Sequence, residues 1–290
     1  MKVSGFTIIR NAINYDYPVV EAVESILPLC NELVVAVGKA DDETLELIKS
    51  IKTDKIRIIE TVWDDSLRDG GKVLAVETDK AFRAIAAESD WGIYIQADEC
   101  IHEQYIEPIK NAMELYKDDD NVDGLLLKYL HFYGSYNYVG DSRQWYRREI
   151  RVVKNDRQIS SYRDAQGFRK SGNKLKVKLI DAWVYHYGWV KSPEKQQDKQ
   201  QNFNKMWHED QWIEKKVGDA SQFDYSNIDS LSIFKGTHPK YIQPRINQMN
   251  WTFDFDPSRK KMGLKNWFLH QIEKVTNYRL GEYKNYKIIN

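Results

Sequence analysis

Two cysteines, Cys30 and Cys100, are the only thiols in 290 residues. That number excludes a disulfide framework and a four-thiolate zinc site. Both sit in apolar surroundings, so buried thiols in a reducing, cytoplasmic compartment are expected. No run approaches the roughly 18 apolar residues of a membrane span. The start, MKVSGFTIIRNA, has no long apolar segment ahead of a small-residue cleavage site, so no secretory signal is read there. Histidine is sparse, six in all, and neither HExxH nor CxxC spacing occurs. GxSxG, GxxxxGKS/T and GxGxxG are also missing, which argues against a hydrolase elbow, a P-loop and a dinucleotide fold. No low-complexity linker or internal repeat divides the chain.

What is present has a globular balance, 42% hydrophobic and 30% charged residues, which allows a core of useful size. The net charge of zero conceals an asymmetry. Residues 1–124 carry 13 Lys and Arg against 26 Asp and Glu, whereas residues 125–290 carry 30 against 17. The later part also holds 28 of the 37 aromatic residues. An acidic half suits cation binding, and a basic, aromatic half suits phosphates and sugar or planar rings. Duplex binders show a denser basic stripe than this, so no nucleic-acid partner is expected.

The first 130 residues alternate strand and helix. Apolar runs at Gly5–Ile9, Glu32–Val37, Lys55–Glu60, Trp91–Gln96 and Asp123–Leu130 read as strands, with Glu32–Val37, nearly continuous and β-branched, read as buried. Helical spacing separates them: Val19 to Leu29, Leu45 to Ile51, Gly71 to Ala87 and Glu103 to Tyr116. This alternation predicts an α/β fold with a mostly parallel sheet. Further strands are expected at Glu149–Val153, Lys174–Ile180 and Ala182–Tyr187, then a polar helix over Pro193–Lys216 and another over Leu264–Val275.

Ligands of parallel sheets bind beyond the carboxyl ends of the strands. Arg10–Asn11, Gly38–Thr44, Thr61–Asp69 and Ala97–His102 fall there, and three of these four loops are rich in carboxylates. Asp98 and Glu99 directly follow a strand and suit a hard divalent ion, Mg²⁺ or Mn²⁺, shared with substrate phosphates; the competing role for Asp98 is a helix cap. Asp41, Asp42 and Thr44 can bind a ribose or base edge, or can cap a helix. Asp64, Asp65, Arg68, Gly70, Gly71 and Lys72 form a loop that could receive an anion or simply be solvated. His186, between two tyrosines, is a metal or phosphate ligand or else a hydrogen-bonded core residue. Trp183, Tyr187 and Trp189 could stack on sugar rings, although core packing is the commoner fate.

In their order, TIIRNA, PVVEAVESILPLCNELVVAVGKADDET and SDWGIYIQADE resemble the inverting family 2 type glycosyltransferases of the GT-A fold. REIRVVKN, SSYRDAQGF and YHYGWVKSPEKQQDKQQNF are similar to segments of the lipopolysaccharide-core branch. The resemblance spans about residues 4–205. It implies a GT-A-like, Rossmann-like sheet flanked by helices over residues 1–216; residues 217–290 match nothing in it and read as an α/irregular C-terminal extension packed on the same unit. It implies transfer of a sugar from a nucleotide-sugar donor to a hydroxyl of a glycan or lipid-linked glycan, as in cell-envelope polysaccharide assembly, with Mg²⁺ or Mn²⁺ at the diphosphate. Peripheral membrane contact is compatible with such an acceptor.

The residues that the resemblance implies are Arg10, Asn11, Asp42, Asp65, Arg68, Lys72 and Gln96 for the nucleotide-sugar, and Asp98, Glu99 and His186 for the metal. Asp164, before Gly167, is the implied general base, with Glu149 in reserve; Glu149 is otherwise read as a salt-bridge partner of Arg147 and Arg148. Two departures stand out. The family's DxD is Gln96-Ala97-Asp98 here, and its base-contacting carboxylate falls at Val37 or Gly38. They keep two other functions in view, a non-catalytic carbohydrate- or nucleotide-binding protein and a sugar nucleotidyltransferase. The latter expects a glycine-rich loop after the first strand, and Arg10-Asn11-Ala12-Ile13 has no glycine.

Overall fold

The computed structural model describes residues 1–67, 70–216 and 220–290. Strand and helix alternate first as β1 (Val3–Ile9), α1 (Val19–Ile26), β2 (Glu32–Gly38), α2 (Thr44–Lys49), β3 (Ile56–Thr61), α3 (Lys72–Ala84) and β4 (Trp91–Tyr94). Then come β5 (Glu99–Ile101), α4 (Ile106–Tyr116), β6 (Gly124–Tyr133), β7 (Ser135–Gly140) and β8 (Arg148–Lys154). A small antiparallel sheet follows, of β9 (Ile159–Tyr162), β10 (Gly167–Lys170) and β11 (Asn173–Lys174). The remainder is β12 (Lys176–Trp189), α5 (Pro193–Asn204), α6 (Asp210–Lys216), β13 (Leu231–Ile233), α7 (Gln243–Asn247), α8 (Leu264–Thr276) and β14 (Lys287–Ile288).

The α/β expectation holds. Among the described residues the large sheet has eleven strands, and only β5, β7 and β8 run against the rest. Its parallel nucleus is β4-β1-β2-β3, with β8, β6 and β7 extending it beyond β4. Burial on both faces explains the continuous apolar runs. Leu33, Val35 and Val37 pack into the layer with Ala22, Val23 and Ile26 of α1 and Ile109 and Met113 of α4. Their neighbours Val34 and Ala36 face the opposite layer, with Ala81 and Phe82 of α3 and Phe168 of β10.

Two segments are divided differently from the sequence reading. The segments expected as separate strands at 174–180 and 182–187 are one strand, β12, with a register shift between Leu179 and Trp183 that carries it past Asp181. The polar helix expected over 193–216 ends at Asn204. There the Asn204 side-chain amide donates to the Gln200 carbonyl at 2.7 Å, and the backbone passes to shorter-range bonds at Met206 and Trp207.

Residues 220–290 are laid over the second half of the sheet. β13 pairs with β7, β14 pairs with β12, and Arg245 meets Asp16 and Glu21 of the first half, each at 2.6 Å. Cys30 and Cys100 are free and buried. Among the described residues no helix is long and apolar enough to cross a membrane.

Candidate functional site

A cavity of about 760 Å³ opens at the carboxyl ends of β1 to β4. Arg10 and Asn11 enter it after β1, Asp41 after β2, Trp63 and Asp65 after β3, and Gln96 and Asp98 after β4. The far wall comes from His186 and Trp189 of β12, from α5, and from the loop around Asp164. Four segments scattered through the chain thus meet where a parallel sheet exposes its unpaired strand ends.

Asp98 is the centre of charge. It is buried at the turn between β4 and β5, and its carbonyl accepts from the Tyr187 amide of β12 at 2.7 Å. Its Oδ2 accepts from the ammonium of Lys199 at 3.1 Å, and Lys199 also donates to the Gly188 carbonyl at 2.9 Å. Its Oδ1 lies 3.7 Å from His186 Nε2. Burial alone would raise the Asp98 carboxyl, but the ammonium of Lys199, with Lys191 behind it, outweighs burial and holds it well below the usual range. Gly188 makes the approach feasible: a Cβ there would stand 2.6 Å from Asp98 Oδ2 and 2.8 Å from His186 Nε2. Lys191 is itself fully buried against the Tyr17 ring, 4.9 Å from its centre, and burial pushes its ammonium down to about 7.

His186 is oriented from behind by a residue that the sequence reading passed over. His131 Nε2 is 2.8 Å from the Tyr146 carbonyl, which can only accept, so that nitrogen carries the hydrogen. His131 Nδ1, 3.2 Å from His186 Nδ1, then accepts from it. Burial lowers the pKa of both rings and keeps them neutral. The chain of bonds leaves the Nε2 lone pair of His186 on the side of Asp98.

Glu99, expected beside Asp98 as a metal ligand, is engaged elsewhere. It is fully buried, and its two oxygens accept from Arg151 Nε and Nη2 at 2.8 and 2.7 Å, with Tyr129 adding a third bond at 2.7 Å. Arg151 also donates to the Gln166 carbonyl at 3.1 Å. This buried pair ties the Asp98 turn to the loop carrying Asp164, and Gln96 Nε2 reaches the same loop at the Ala165 carbonyl, 3.5 Å away.

Asp164 lines the cavity in the turn between β9 and β10, where its neighbours Arg163 and Ala165 both have positive φ. Burial raises its carboxyl, which Arg163 and Arg151 partly oppose. Glu149 lies beneath it and is not part of the cavity wall. Burial pushes Glu149 up to about 8, against Arg151. Its Oε1 accepts from Gln166 at 2.9 Å, and Oε2 has no partner among the described residues. The expected pairing of Glu149 with Arg147 is absent, because Arg147 turns to Glu282 at 2.9 Å and Glu273 at 3.4 Å in the C-terminal segment.

The residues expected around the nucleotide divide. Arg10, Asn11, Asp65 and Gln96 line the cavity; Arg10 pairs with Asp65 at 2.7 Å and lies 5.7 Å over the Trp63 ring. Asp42 does not line it. Its oxygens accept from the amides of Ile13, Asn14 and Thr44 at 3.0, 2.8 and 3.1 Å, so it closes its own loop, and Asp41 stands at the wall instead. Lys72 is exposed at the start of α3, away from the wall, and Arg68 lies outside the described residues.

Of the three aromatics expected to stack on sugars, only Trp189 reaches the cavity. Tyr187 is buried and bonds His238 at 2.9 Å, and Trp183 holds Lys128 over its ring at 5.3 Å. Trp63 and Trp207 are wall residues that sequence reasoning missed. Trp63 accounts for one departure: a Cβ on Gly38 would fall 2.3 Å from its indole Nε1, so the ring occupies the space that a carboxylate at position 38 would need.

Among the described residues no three His, Cys, Asp or Glu side chains converge on one point. A smaller donor set does fit Mg²⁺ or Mn²⁺: Asp98 Oδ1 and the oriented Nε2 of His186 face the same cavity, and ions of this kind take much of their coordination from water and phosphates. Glu99 is not part of that set.

No protein-family model matches the chain, and no curated protein matches it. Among solved structures it is similar to residues 1–349 of S. aureus TarS in complex with UDP, at 15% identity over 69% of this chain and 64% of that one, TM-score 0.41. It is similar to glucosyl-3-phosphoglycerate synthase from Mycobacterium tuberculosis in complex with Mn²⁺, UDP and phosphoglyceric acid, at 15% identity over 45% of this chain and 43% of that one, TM-score 0.31. It is also similar to 4-diphosphocytidyl-2C-methyl-D-erythritol synthase from Anaerococcus prevotii, at 12% identity over 66% of this chain and 91% of that one, TM-score 0.39. The chain spans 39% of the longer TarS chain. Likenesses of this degree assign no residue role.

Proposed function

We propose that this protein is an inverting glycosyltransferase of the GT-A kind, related to family 2 and its lipopolysaccharide-core branch, that moves a sugar from a nucleotide-sugar donor to a hydroxyl of a glycan or lipid-linked glycan. The observation that carries the reading is one cavity at the carboxyl ends of the parallel strands, with a buried Asp98–Lys199–His186 cluster and a separate carboxylate, Asp164, in its wall. The donor's diphosphate faces the cluster, where the Lys199 ammonium meets its charge. The base lies along the wall of Trp63, Arg10 and Asn11, and the indole offers a stacking surface. Bound at Asp98 and His186, Mg²⁺ or Mn²⁺ would supply further neutralisation of the leaving diphosphate.

Asp164 takes the proton of the acceptor hydroxyl as its oxygen bonds to the anomeric carbon. The bond from that carbon to the phosphate oxygen breaks, and its electron pair leaves with the diphosphate. Burial, by raising the Asp164 carboxyl, makes it a stronger base than an exposed aspartate. We propose in addition a cytoplasmic location, which two free buried thiols support, and a division at residue 217 between the transferase unit and its extension.

The test is a thermal-shift panel of UDP-, GDP-, dTDP- and CMP-sugars with Mg²⁺ or Mn²⁺, followed by turnover of the best donor. A bound donor at a hundredfold excess over its Kd stabilises by ~2.7 kcal/mol. Asp164→Asn is expected to cut turnover ~10²–10⁴-fold with donor affinity intact. No stabilisation by any nucleotide would reject the reading. Binding without turnover would assign the chain to a non-catalytic binder, and release of pyrophosphate from a nucleoside triphosphate would assign it to the nucleotidyltransferases.

A further inference from the structure

Helix α8 has its amphipathicity reversed. Leu264, Trp267, Phe268 and Val275 fall at i, i+3, i+4 and i+11, one stripe of the helix. They are 89%, 48%, 60% and 87% exposed, so the stripe faces solvent. The face turned to the protein carries polar groups beside the half-buried Leu269: His270 is buried, and Glu273 meets Arg143, Arg147 and Arg279 at 3.1, 3.4 and 2.8 Å. A surface helix normally does the opposite, because exposed apolar area costs free energy that burial recovers. The outward stripe therefore marks a surface that something covers.

The surrounding chemistry selects the occupant. At 100° per residue, Lys265 and Lys274 fall on the two borders of the stripe, and both are exposed. Residues 257–290 carry eight Lys and Arg against two Asp and Glu. Exposed Tyr278, Leu280 and Tyr283 follow the helix. Apolar and aromatic side chains bordered by lysines are the pattern of a helix lying in the interface plane of an anionic bilayer. At 13 residues the helix is far too short to span one. Across a two-fold contact with a second copy, this basic segment would meet itself, and like charges would oppose the apolar contact.

We infer that α8 is a membrane-docking element that seats its Leu264–Trp267–Phe268–Val275 stripe in the headgroup boundary of an anionic lipid surface. The docking is a property of this segment and does not depend on what the cavity binds.

The experiment is flotation of the full chain with large unilamellar vesicles, either pure phosphatidylcholine or phosphatidylcholine with about 30% phosphatidylglycerol. Binding is expected to the anionic vesicles, to be at least tenfold weaker to the neutral ones, and to fall as salt rises to about 0.5 M. Leu264→Glu/Phe268→Glu changes exposed side chains only. It should reduce binding at least tenfold with an unchanged circular-dichroism spectrum, and Lys265→Glu and Lys274→Glu should each reduce it roughly fivefold. Failure to bind anionic vesicles, or equal binding by the Leu264→Glu/Phe268→Glu variant, would overturn the inference. So would self-association in vesicle-free solution that this variant abolishes, which would give the stripe to a second copy. A donor-binding result in the cavity bears on the transferase reading alone.

Discussion

Lys199 Nζ lies 3.1 Å from Asp98 Oδ2, a buried ion pair that joins α5 to the β4–β5 turn across 101 residues of sequence. Its two partners belong to different layers of the molecule, and the bond from Lys199 to the Gly188 carbonyl fixes the ammonium beside the carboxylate. Lys199 is thus the positive group built into the cavity next to its most acidic side chain.

Replacing Lys199 by Met leaves Asp98 buried without its main counter-charge. Breaking a buried pair by removing one partner costs about 3–5 kcal/mol. Urea unfolding of Lys199→Met should show a loss of that order. Calorimetry with the best nucleoside diphosphate should show at least a tenfold loss of affinity, because in the proposed donor pose the ammonium also faces the phosphates. Unchanged affinity in a folded variant would remove Lys199 from the donor site.

Glu99→Gln tests the reassignment of that carboxylate. Arg151 would keep a hydrogen-bond acceptor but lose the charge it is paired with, again at a cost of about 3–5 kcal/mol in unfolding free energy. The effect of Mn²⁺ on donor affinity should be the same as in the wild type. A large drop in that metal effect, with stability intact, would return Glu99 to the metal.

Glu149 makes stability depend on pH. Burial raises its folded carboxyl to about 8 from the ordinary 4.5. Between those two values the folded state holds a proton that the unfolded state has released. Stability contributed by the protonated group is therefore fully present below pH ~4.5 and falls as pH rises to about 8, by several kcal/mol in all. Unfolding at pH 5, 6.5 and 8 should show the decline in the wild type and a flatter profile in Glu149→Gln, which keeps the acceptor for Gln166. Parallel profiles would place the titration on another group.

His131 acts on His186 and not on the ligand. His131→Leu removes the acceptor that sets the His186 tautomer, and the loss of such a support typically costs 10–100-fold in metal affinity. The expected result is a drop of that size in the Mn²⁺ concentration dependence of donor binding, with donor affinity in EDTA unchanged. His131→Asn, which can still offer an oxygen, should recover part of it. Equal losses with and without metal would make His131 a packing residue only.

The sequence by itself determined the parallel α/β nucleus and the address of the site. Each strand of β1 to β4 is a short run rich in β-branched or aromatic residues, and α1 shows Val19, Val23 and Ile26 at helical spacing. These patterns depend on neighbours within one or two turns of chain, so they can be read without the fold. Knowing that parallel strands end at a ligand crevice was then enough to bring Arg10, Asn11, Asp65, Gln96 and Asp98 to one wall. The tertiary structure decided what each polar group does once there. Asp98 and Glu99 are adjacent in sequence and equal in chemistry, yet Arg151, 52 residues onward, consumes one, while Lys199 and His186 surround the other. Asp42 and Asp41 exchange roles because backbone amides of Ile13 and Asn14, 29 and 28 residues earlier, donate to the first. Glu149 lacks its arginine because Arg147 finds Glu282 in the C-terminal segment. Charge interactions and hydrogen bonds act through space over a few ångströms, and the partners that win them are chosen by which layers of the fold come to lie against each other.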